Sequence, residues 1–177
     1  MQTNSEKMQH SDWLKTARSL NIESRLFING SYVEAKSGAR FESVNPATGE
    51  VLAAVARGGV ADIDLAVVSA KEAWRDGRWR FMAPRDRMNV LFRLADLIEA
   101  RSEELALLDT LDMGKPITDS LTIDLPEVIV TFRYFAECID KLEGVVTNSD
   151  SNTLHMILKE PLGVVGAISP WNYPRRA

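Results

Sequence analysis

The stretch that decides the fold is residues 163–174, which read Gly-Val-Val-Gly-Ala-Ile-Ser-Pro-Trp-Asn-Tyr-Pro. A short apolar run ends here in a turn that presents one amide side chain, that of Asn172. Near-continuous apolar runs are typical of strands covered on both faces, and open α/β sheets bind ligands beyond the carboxyl ends of such strands. The stretch therefore predicts a buried strand of an α/β sheet with a ligand site at its end.

The composition is that of a globular protein and argues against several other classes. Of 177 residues, 45% are hydrophobic and 26% are charged, which is enough for one core. The net charge of -4 gives no reason to expect a nucleic-acid partner. Residues 1–13 lack the features of a secretory signal or transit peptide, and no apolar run reaches membrane-spanning length. We expect a cytoplasmic protein that does not bind a membrane.

Turn residues predict that the first ordered part of the chain is β. Asn29-Gly30 supplies the two positive-φ positions of a tight hairpin turn, and residues 45–49 contain the Pro and Gly of a longer one. Gly58 and Gly59 follow, without the G-x-G-x-x-G pattern of a phosphate-binding loop. We interpret this glycine pair as a turn before a helix.

Helical spacing dominates the middle of the chain. Asp62 is the expected N-cap of the first of these helices, and Gly114 is expected to end the third. Pro126 lies inside the fourth helical pattern, so that helix either kinks or begins there. From residue 145 to residue 168 the pattern returns to strands.

Five motifs resemble the NAD(P)-dependent aldehyde dehydrogenase superfamily and follow the order of that family. They are residues 26–30 (Leu-Phe-Ile-Asn-Gly), 44–51 (Val-Asn-Pro-Ala-Thr-Gly-Glu-Val), 94–99 (Leu-Ala-Asp-Leu-Ile-Glu), 110–116 (Thr-Leu-Asp-Met-Gly-Lys-Pro) and 170–174 (Pro-Trp-Asn-Tyr-Pro). Within the superfamily, residues 22–30 and 103–108 are most similar to the γ-glutamyl-γ-aminobutyraldehyde dehydrogenases. The resemblance implies an α/β fold of N-terminal β-hairpins and helices plus the first strand of a truncated Rossmann-type cofactor domain.

The resemblance also implies a division of the chain. Its parts are an N-terminal tail (1–20), the N-terminal part of the cofactor-binding domain (21–143), oligomerisation-arm strands (144–161), the first nucleotide-fold strand and turn (162–174) and a tail outside the family pattern (175–177). The arm could equally be a protected free edge, because Lys159 and Glu160 end it. Arg175 and Arg176 place charge where the family continues with apolar residues, so we expect a truncated chain.

The resemblance implies a catalytic role for Asn172. Aldehyde oxidation needs a thiolate, donors for an oxyanion, a nicotinamide that accepts hydride and a carboxylate that activates water. Asn172 matches the family's oxyanion-stabilising amide, and the alternative is an Asn that only caps the turn. Ile168, Ser169, Pro170, Trp171 and Asn172 match positions that line the nicotinamide end of NAD or NADP. Trp171 could equally fill the core.

Two further residues have competing interpretations. Asp112 matches a position that in some relatives helps to hold a monovalent cation, together with a backbone oxygen near Ser43-Val44. We favour the other interpretation, a carboxylate that accepts from backbone donors at the end of a helix. Cys138, the single cysteine, lacks the electropositive setting of a nucleophile, so we expect an inert thiol. The nucleophile and the base are expected elsewhere in a longer family protein.

The sequence therefore predicts part of an enzyme that oxidises an aldehyde to a carboxylic acid. The expected small-molecule substrate is an aminoaldehyde such as γ-glutamyl-γ-aminobutyraldehyde, and the expected cofactor is NAD or NADP. We expect the chain alone to be inactive and the longer enzyme to be a homo-oligomer. The alternatives are a non-catalytic interaction module that pairs with a full-length subunit, and the product of a decayed gene.

Overall fold

The structure is a computed structural model and describes residues 8–170 and residue 172. In the described residues, a first helix and two antiparallel hairpins come before the main group of helices, and a third antiparallel hairpin follows that group. The strands are β1 (Leu26–Ile28), β2 (Ser31–Val33), β3 (Arg40–Val44), β4 (Val51–Ala56), β5 (Val145–Thr147) and β6 (His155–Ile157). The helices are α1 (His10–Ser19), α2 (Val60–Arg75), α3 (Pro84–Ala100), α4 (Ser102–Met113), α5 (Ile117–Asp119) and α6 (Leu125–Cys138).

Both predicted N-terminal hairpins are present. β1 pairs with β2 around Asn29 and Gly30, whose φ angles of 52° and 76° are the positive values that a tight turn requires. β3 pairs with β4 around the turn of residues 45–49, and the register shifts between Ser43 and Val44. These turns confirm the local reading of the sequence, because the turn residues themselves determine the backbone.

The first ordered element is a helix, so the prediction that the chain begins with β structure was wrong. α1 lies within the segment that the sequence analysis assigned to a tail. Trp13 and Ala17 are half-buried, and α1 packs against α4. A short polar helix gains most of its stability from such packing and gives only a weak local signal.

Asp62 is the third residue of α2 and not its N-cap, which corrects the predicted helix start. α2 begins at Val60, and the Asp62 carboxylate accepts hydrogen bonds from the backbone N–H groups of Gly59 and Lys36, both at 2.9 Å. These two donors hold the pKa of Asp62 below its ordinary value of 3.8. The buried carboxylate thus ties the loop after β2 to the start of α2.

Replacing Asp62 with Asn should lower the melting temperature at neutral pH, because the charged acceptor at two backbone donors is lost. A lowered folded-state pKa means that the stabilisation is present above the unfolded-state pKa and is lost as the pH falls through the folded-state pKa. The difference between wild type and variant should therefore shrink between about pH 5 and about pH 2. Thermal unfolding across this range tests it, with Asp64→Asn on the exposed face of α2 as the control. A difference that does not depend on pH would contradict the assignment.

The helical core lies between α3, α4 and α6. α3 packs mainly against α6, where Ala95 and Ala136 are each 0% exposed. Small side chains at the contact let the two helices approach closely. Leu125, at the start of α6, is 1% exposed. These three buried side chains all lie on α3 or α6.

Pro126 is the second residue of α6, but helical backbone continues upstream, because Asp124 and Leu125 also have right-handed helical φ and ψ angles. Pro126 therefore lies inside a longer helical run, where its missing N–H falls beside an irregular part of the hydrogen-bond ladder. A π-helical turn, Ser120–Asp124, precedes α6. The buried Ser120 hydroxyl donates to Asp109 Oδ2 at 3.1 Å, which fixes this turn against α4.

β5 and β6 form an antiparallel hairpin, with Val146 opposite Met156. The apolar segment 162–168 pairs with no strand among the described residues, and Leu162 and Ile168 are 96% and 100% exposed. A strand in a sheet needs neighbours that satisfy its N–H and C=O groups. The first strand of a nucleotide fold therefore stays a prediction for residues 162–174.

Candidate functional site

The predicted site lies on an exposed segment that ends in a turn at Asn172. Ile168, Ser169, Pro170 and Asn172 are all exposed, and Trp171 lies outside the described residues. The chain reaches this segment through Gly163, whose φ of +106° favours glycine. The described candidates therefore lie together on one continuous stretch of chain.

The side chains on this stretch can bind a ligand in two ways. The Asn172 amide carries an NH₂ donor that solvent or a ligand can reach. Such a donor stabilises an oxyanion when it is fixed about 2.7–3.1 Å from the oxygen. Ile168 presents its whole apolar side chain, which is suited to contact with a flat ring. An exposed amide donor and an exposed apolar side chain are compatible with the predicted nicotinamide contacts, which stay a prediction.

A separate open groove of about 600 Å³ lies between the β3–β4 hairpin and α4. Its lining is mainly apolar and includes Phe41, Val55 and Leu108. Residues 168–170 and residue 172 do not line this groove. The groove is therefore separate from the described residues that are predicted to contact the cofactor. Its few polar residues determine which ligands it could bind.

The polar residues that line this groove are Ser43, Asp109 and Asp112, and Ser43 is hydrogen-bonded to Asp112. The Ser43 hydroxyl donates to Asp112 Oδ1 at 2.6 Å, which joins β3 to the last turn of α4. The resemblance places Asp112 near the backbone of Ser43-Val44, and the structure brings Asp112 and Ser43 together. The partner of the carboxylate is a side-chain hydroxyl, whereas the favoured interpretation expected backbone donors at the helix end. A bond between β3 and α4 is the structural role that the geometry supports.

Replacing Ser43 with Ala should lower the free energy of unfolding by about 0.5–1 kcal/mol, because one exposed hydrogen bond is lost. Chemical denaturation measures this change. If Asp112 serves only this bond, potassium chloride and choline chloride at equal ionic strength should give the same melting temperature. A rise with potassium that Asp112→Asn abolishes would instead favour a monovalent cation at this carboxylate.

Other reactive side chains lie away from Asn172 in sequence and do not form a metal centre. Within residues 8–170 and at 172, no group of three or more His, Cys, Asp and Glu side chains could hold a metal ion. Cys138 is half-buried as the last residue of α6. His155 Nδ1 lies 2.8 Å from Thr147 Oγ1 within the β5–β6 hairpin. No helix in the described part of the chain is long and apolar enough to cross a membrane.

The comparison with known families identifies the chain. The profile of the aldehyde dehydrogenase family matches residues 32–176. The chain belongs to the aldehyde dehydrogenase family. It is 49% identical to the NADP/NAD-dependent aldehyde dehydrogenase PuuC of Escherichia coli over 162 residues, covering 92% of this chain and 33% of PuuC. This aldehyde dehydrogenase chain thus spans about a third of the length of the curated relatives that it matches.

Solved structures confirm the predicted α/β, aldehyde-dehydrogenase-like fold. The γ-glutamyl-γ-aminobutyraldehyde dehydrogenase of Burkholderia cenocepacia superposes with a TM-score of 0.92 at 44% identity, covering 94% of this chain and 34% of that one. The indole-3-acetaldehyde dehydrogenase of P. syringae, solved with NAD+, superposes with a TM-score of 0.94 at 44% identity, covering 96% and 34%. These matches also confirm the similarity to γ-glutamyl-γ-aminobutyraldehyde dehydrogenases.

Sequence reasoning missed the hydroxyl that binds Asp112. Ser43 lies next to a register shift in β3, and a half-buried serine in a strand gives no signal of a distant carboxylate partner. The resemblance indicated the neighbourhood through the backbone of residues 43 and 44. Only the packing of the β3–β4 hairpin against α4 shows which atom makes the contact.

Proposed function

We propose that this chain is the N-terminal part of an NAD(P)-dependent aldehyde dehydrogenase that oxidises an aminoaldehyde such as γ-glutamyl-γ-aminobutyraldehyde. The observation that carries the proposal is the exposed turn at Asn172, in a chain that belongs to the family over residues 32–176. The similarity to a γ-glutamyl-γ-aminobutyraldehyde dehydrogenase supports the substrate class. We propose either NAD or NADP as the cofactor, because PuuC is an NADP/NAD-dependent enzyme.

This chain would supply only some of the groups that the reaction needs. An aldehyde, water and NAD(P)+ give a carboxylic acid, NAD(P)H and a proton. The bound nicotinamide supplies the hydride acceptor. Asn172 would donate its NH₂ to the oxygen that becomes negative when a thiolate adds to the aldehyde carbon. Ile168, Ser169, Pro170 and Trp171 would contact the nicotinamide end of the cofactor, and the thiolate and the base would come from the remaining polypeptide.

A domain-exchange enzyme tests this proposal. In this exchange enzyme, residues 1–172 of this chain replace the matching part of PuuC. We expect aldehyde-dependent formation of NAD(P)H, with a higher kcat/KM for γ-glutamyl-γ-aminobutyraldehyde than for acetaldehyde. A folded exchange enzyme without aldehyde-dependent turnover would contradict the proposed function. Turnover that prefers acetaldehyde would contradict only the substrate class.

The chain alone should oxidise no aldehyde, because its single thiol is Cys138 at the end of α6 and the proposed cofactor contacts are uncovered. Incubation with γ-aminobutyraldehyde and NAD, followed by the absorbance of reduced cofactor, measures this. The matched control is Cys138→Ser. Turnover that survives this substitution would refute the assignment of roles.

The β5–β6 hairpin supports a homo-oligomer for the longer enzyme. Val145, Val146, Met156 and Ile157 are each at least half exposed, so the hairpin presents apolar side chains on its surface. Pairing of this hairpin with a second subunit would cover these side chains.

We also propose a cytoplasmic location for the longer enzyme. An alternative role for Asp112 is to bind a monovalent cation beside Ser43.

A further inference from the structure

The long C-terminal segment meets the helical part of the protein at Gly163. Between residues 148 and 170, every residue except Gly163 is exposed, and Gly163 is half-buried. A Cβ at Gly163 would lie 4.0 Å from Cε2 of Trp74, so the indole ring lies close to Gly163. The positive φ of +106° turns the chain at this position. Gly163 is therefore the least exposed residue of this stretch and lies near the Trp74 side chain of α2.

Trp74 itself is held by the loop that follows α2. The guanidinium carbon of Arg80 lies 5.0 Å from the Trp74 ring centroid and 4.7 Å from that of Phe81, so the cation lies against both rings. Phe81 in turn packs over Gly77, where a Cβ would lie 2.0 Å from Phe81 Cδ2. Gly77 has a φ of +77°, which also favours glycine. A side chain at residue 77 would collide with Phe81 in this arrangement of the loop.

We propose that Trp74 is a positioning residue, whose indole ring supports Gly163 and thereby directs residues 164–172 and the Asn172 amide. This inference rests on the proposed function of Asn172. In this proposal, the ring and the turn at Gly163 set the direction of the chain that follows Gly163. A displacement there carries through the backbone to the amide, and a shift of about 1 Å in a reacting group can reduce a rate about 100-fold.

Nuclear magnetic resonance on the chain alone tests the contact without any catalysis. The Ile168→Asp variant is the background, because Ile168 is fully exposed and the added charge opposes self-association. The proton resonances of Gly163 should show a ring-current shift that Trp74→Leu removes and Trp79→Leu keeps. Gly163→Ala should move the Trp74 indole N–H resonance, whereas Gly166→Ala, with open space around it, should not. Unchanged Gly163 resonances in Trp74→Leu would overturn the proposal.

The exchange enzyme tests the positioning role. Trp74→Leu should lower kcat about 10–100-fold while the dissociation constant of NAD stays within about twofold, and Trp74→Phe should restore most of the rate. Trp79→Leu is the matched control and should keep kcat. An equal kcat in Trp74→Leu, or a loss that appears only in cofactor affinity, would overturn the positioning role. An inactive exchange enzyme with the ring-current shift intact would instead refute the proposed function and leave the contact established.

Discussion

Replacing Asn172 with Ala in the exchange enzyme should lower kcat by about 10²–10³-fold, the usual loss when one oxyanion donor is removed. The affinity for NAD should change little, because the donor acts on charge that exists only in the transition state. Asn172→Asp keeps the shape and replaces the NH₂ donor by a charged acceptor, so its kcat should fall at least as far. Steady-state kinetics and NAD titration measure the two quantities.

Asn148→Ala is the matched control for this prediction. Asn148 is also exposed, and it lies in the loop between β5 and β6. Its replacement should leave kcat unchanged. An Asn172→Ala enzyme with normal turnover but impaired cofactor affinity would make Asn172 a structural turn residue.

Replacing Ile168 with Asp should have opposite effects in the chain alone and in the exchange enzyme. In the chain alone Ile168 is 100% exposed, so the substitution costs no burial and adds a charge that opposes self-association. In the exchange enzyme we expect the segment to be covered on both faces, where an unpaired carboxylate is strongly destabilising. Sedimentation should show more monomer for the variant chain, and the variant exchange enzyme should fail to accumulate as folded protein.

The expected size of this effect follows from the apolar segment. Burying Leu162, Val164, Val165 and Ile168 is worth about 1.5–3 kcal/mol each, roughly 6–12 kcal/mol together. This is comparable to the whole stability of a typical domain, about 5–15 kcal/mol. Ile168→Val is the control and should behave as wild type in both proteins. Equal tolerance of Asp in both proteins would show that the segment is not buried in the enzyme.

The features that the sequence predicted are those that a few adjacent residues determine. Asn29-Gly30 formed its hairpin turn, and Gly114 ended α4 with a φ of 75°. Pro126 lies next to the change from the π-helical turn to α6. In each case the backbone preference of one residue type decides the conformation, so the pattern is sufficient.

The features that the sequence did not predict depend on packing between distant segments. α1 is stabilised by contact with α4, and the Asp62 carboxylate reaches back to Lys36 and to the residue before α2. Neither contact has a local signal. The role predicted for Asn172 rests on the family resemblance, because an exposed Asn in a turn is chemically ordinary. The proximity of Trp74 to Gly163 has no sequence signal.

The central claim is that residues 162–172 form the first strand and the oxyanion-binding turn of a cofactor domain. Amide hydrogen exchange across residues 162–170, compared between the chain alone and the exchange enzyme, tests it most directly. We expect rapid exchange in the chain alone, because the segment pairs with no strand in the described residues. In the exchange enzyme the same amides should be strongly protected and should exchange more slowly still when NAD is bound. Rapid exchange in the active exchange enzyme, or strong protection in a monomer of the chain alone, would contradict the claim.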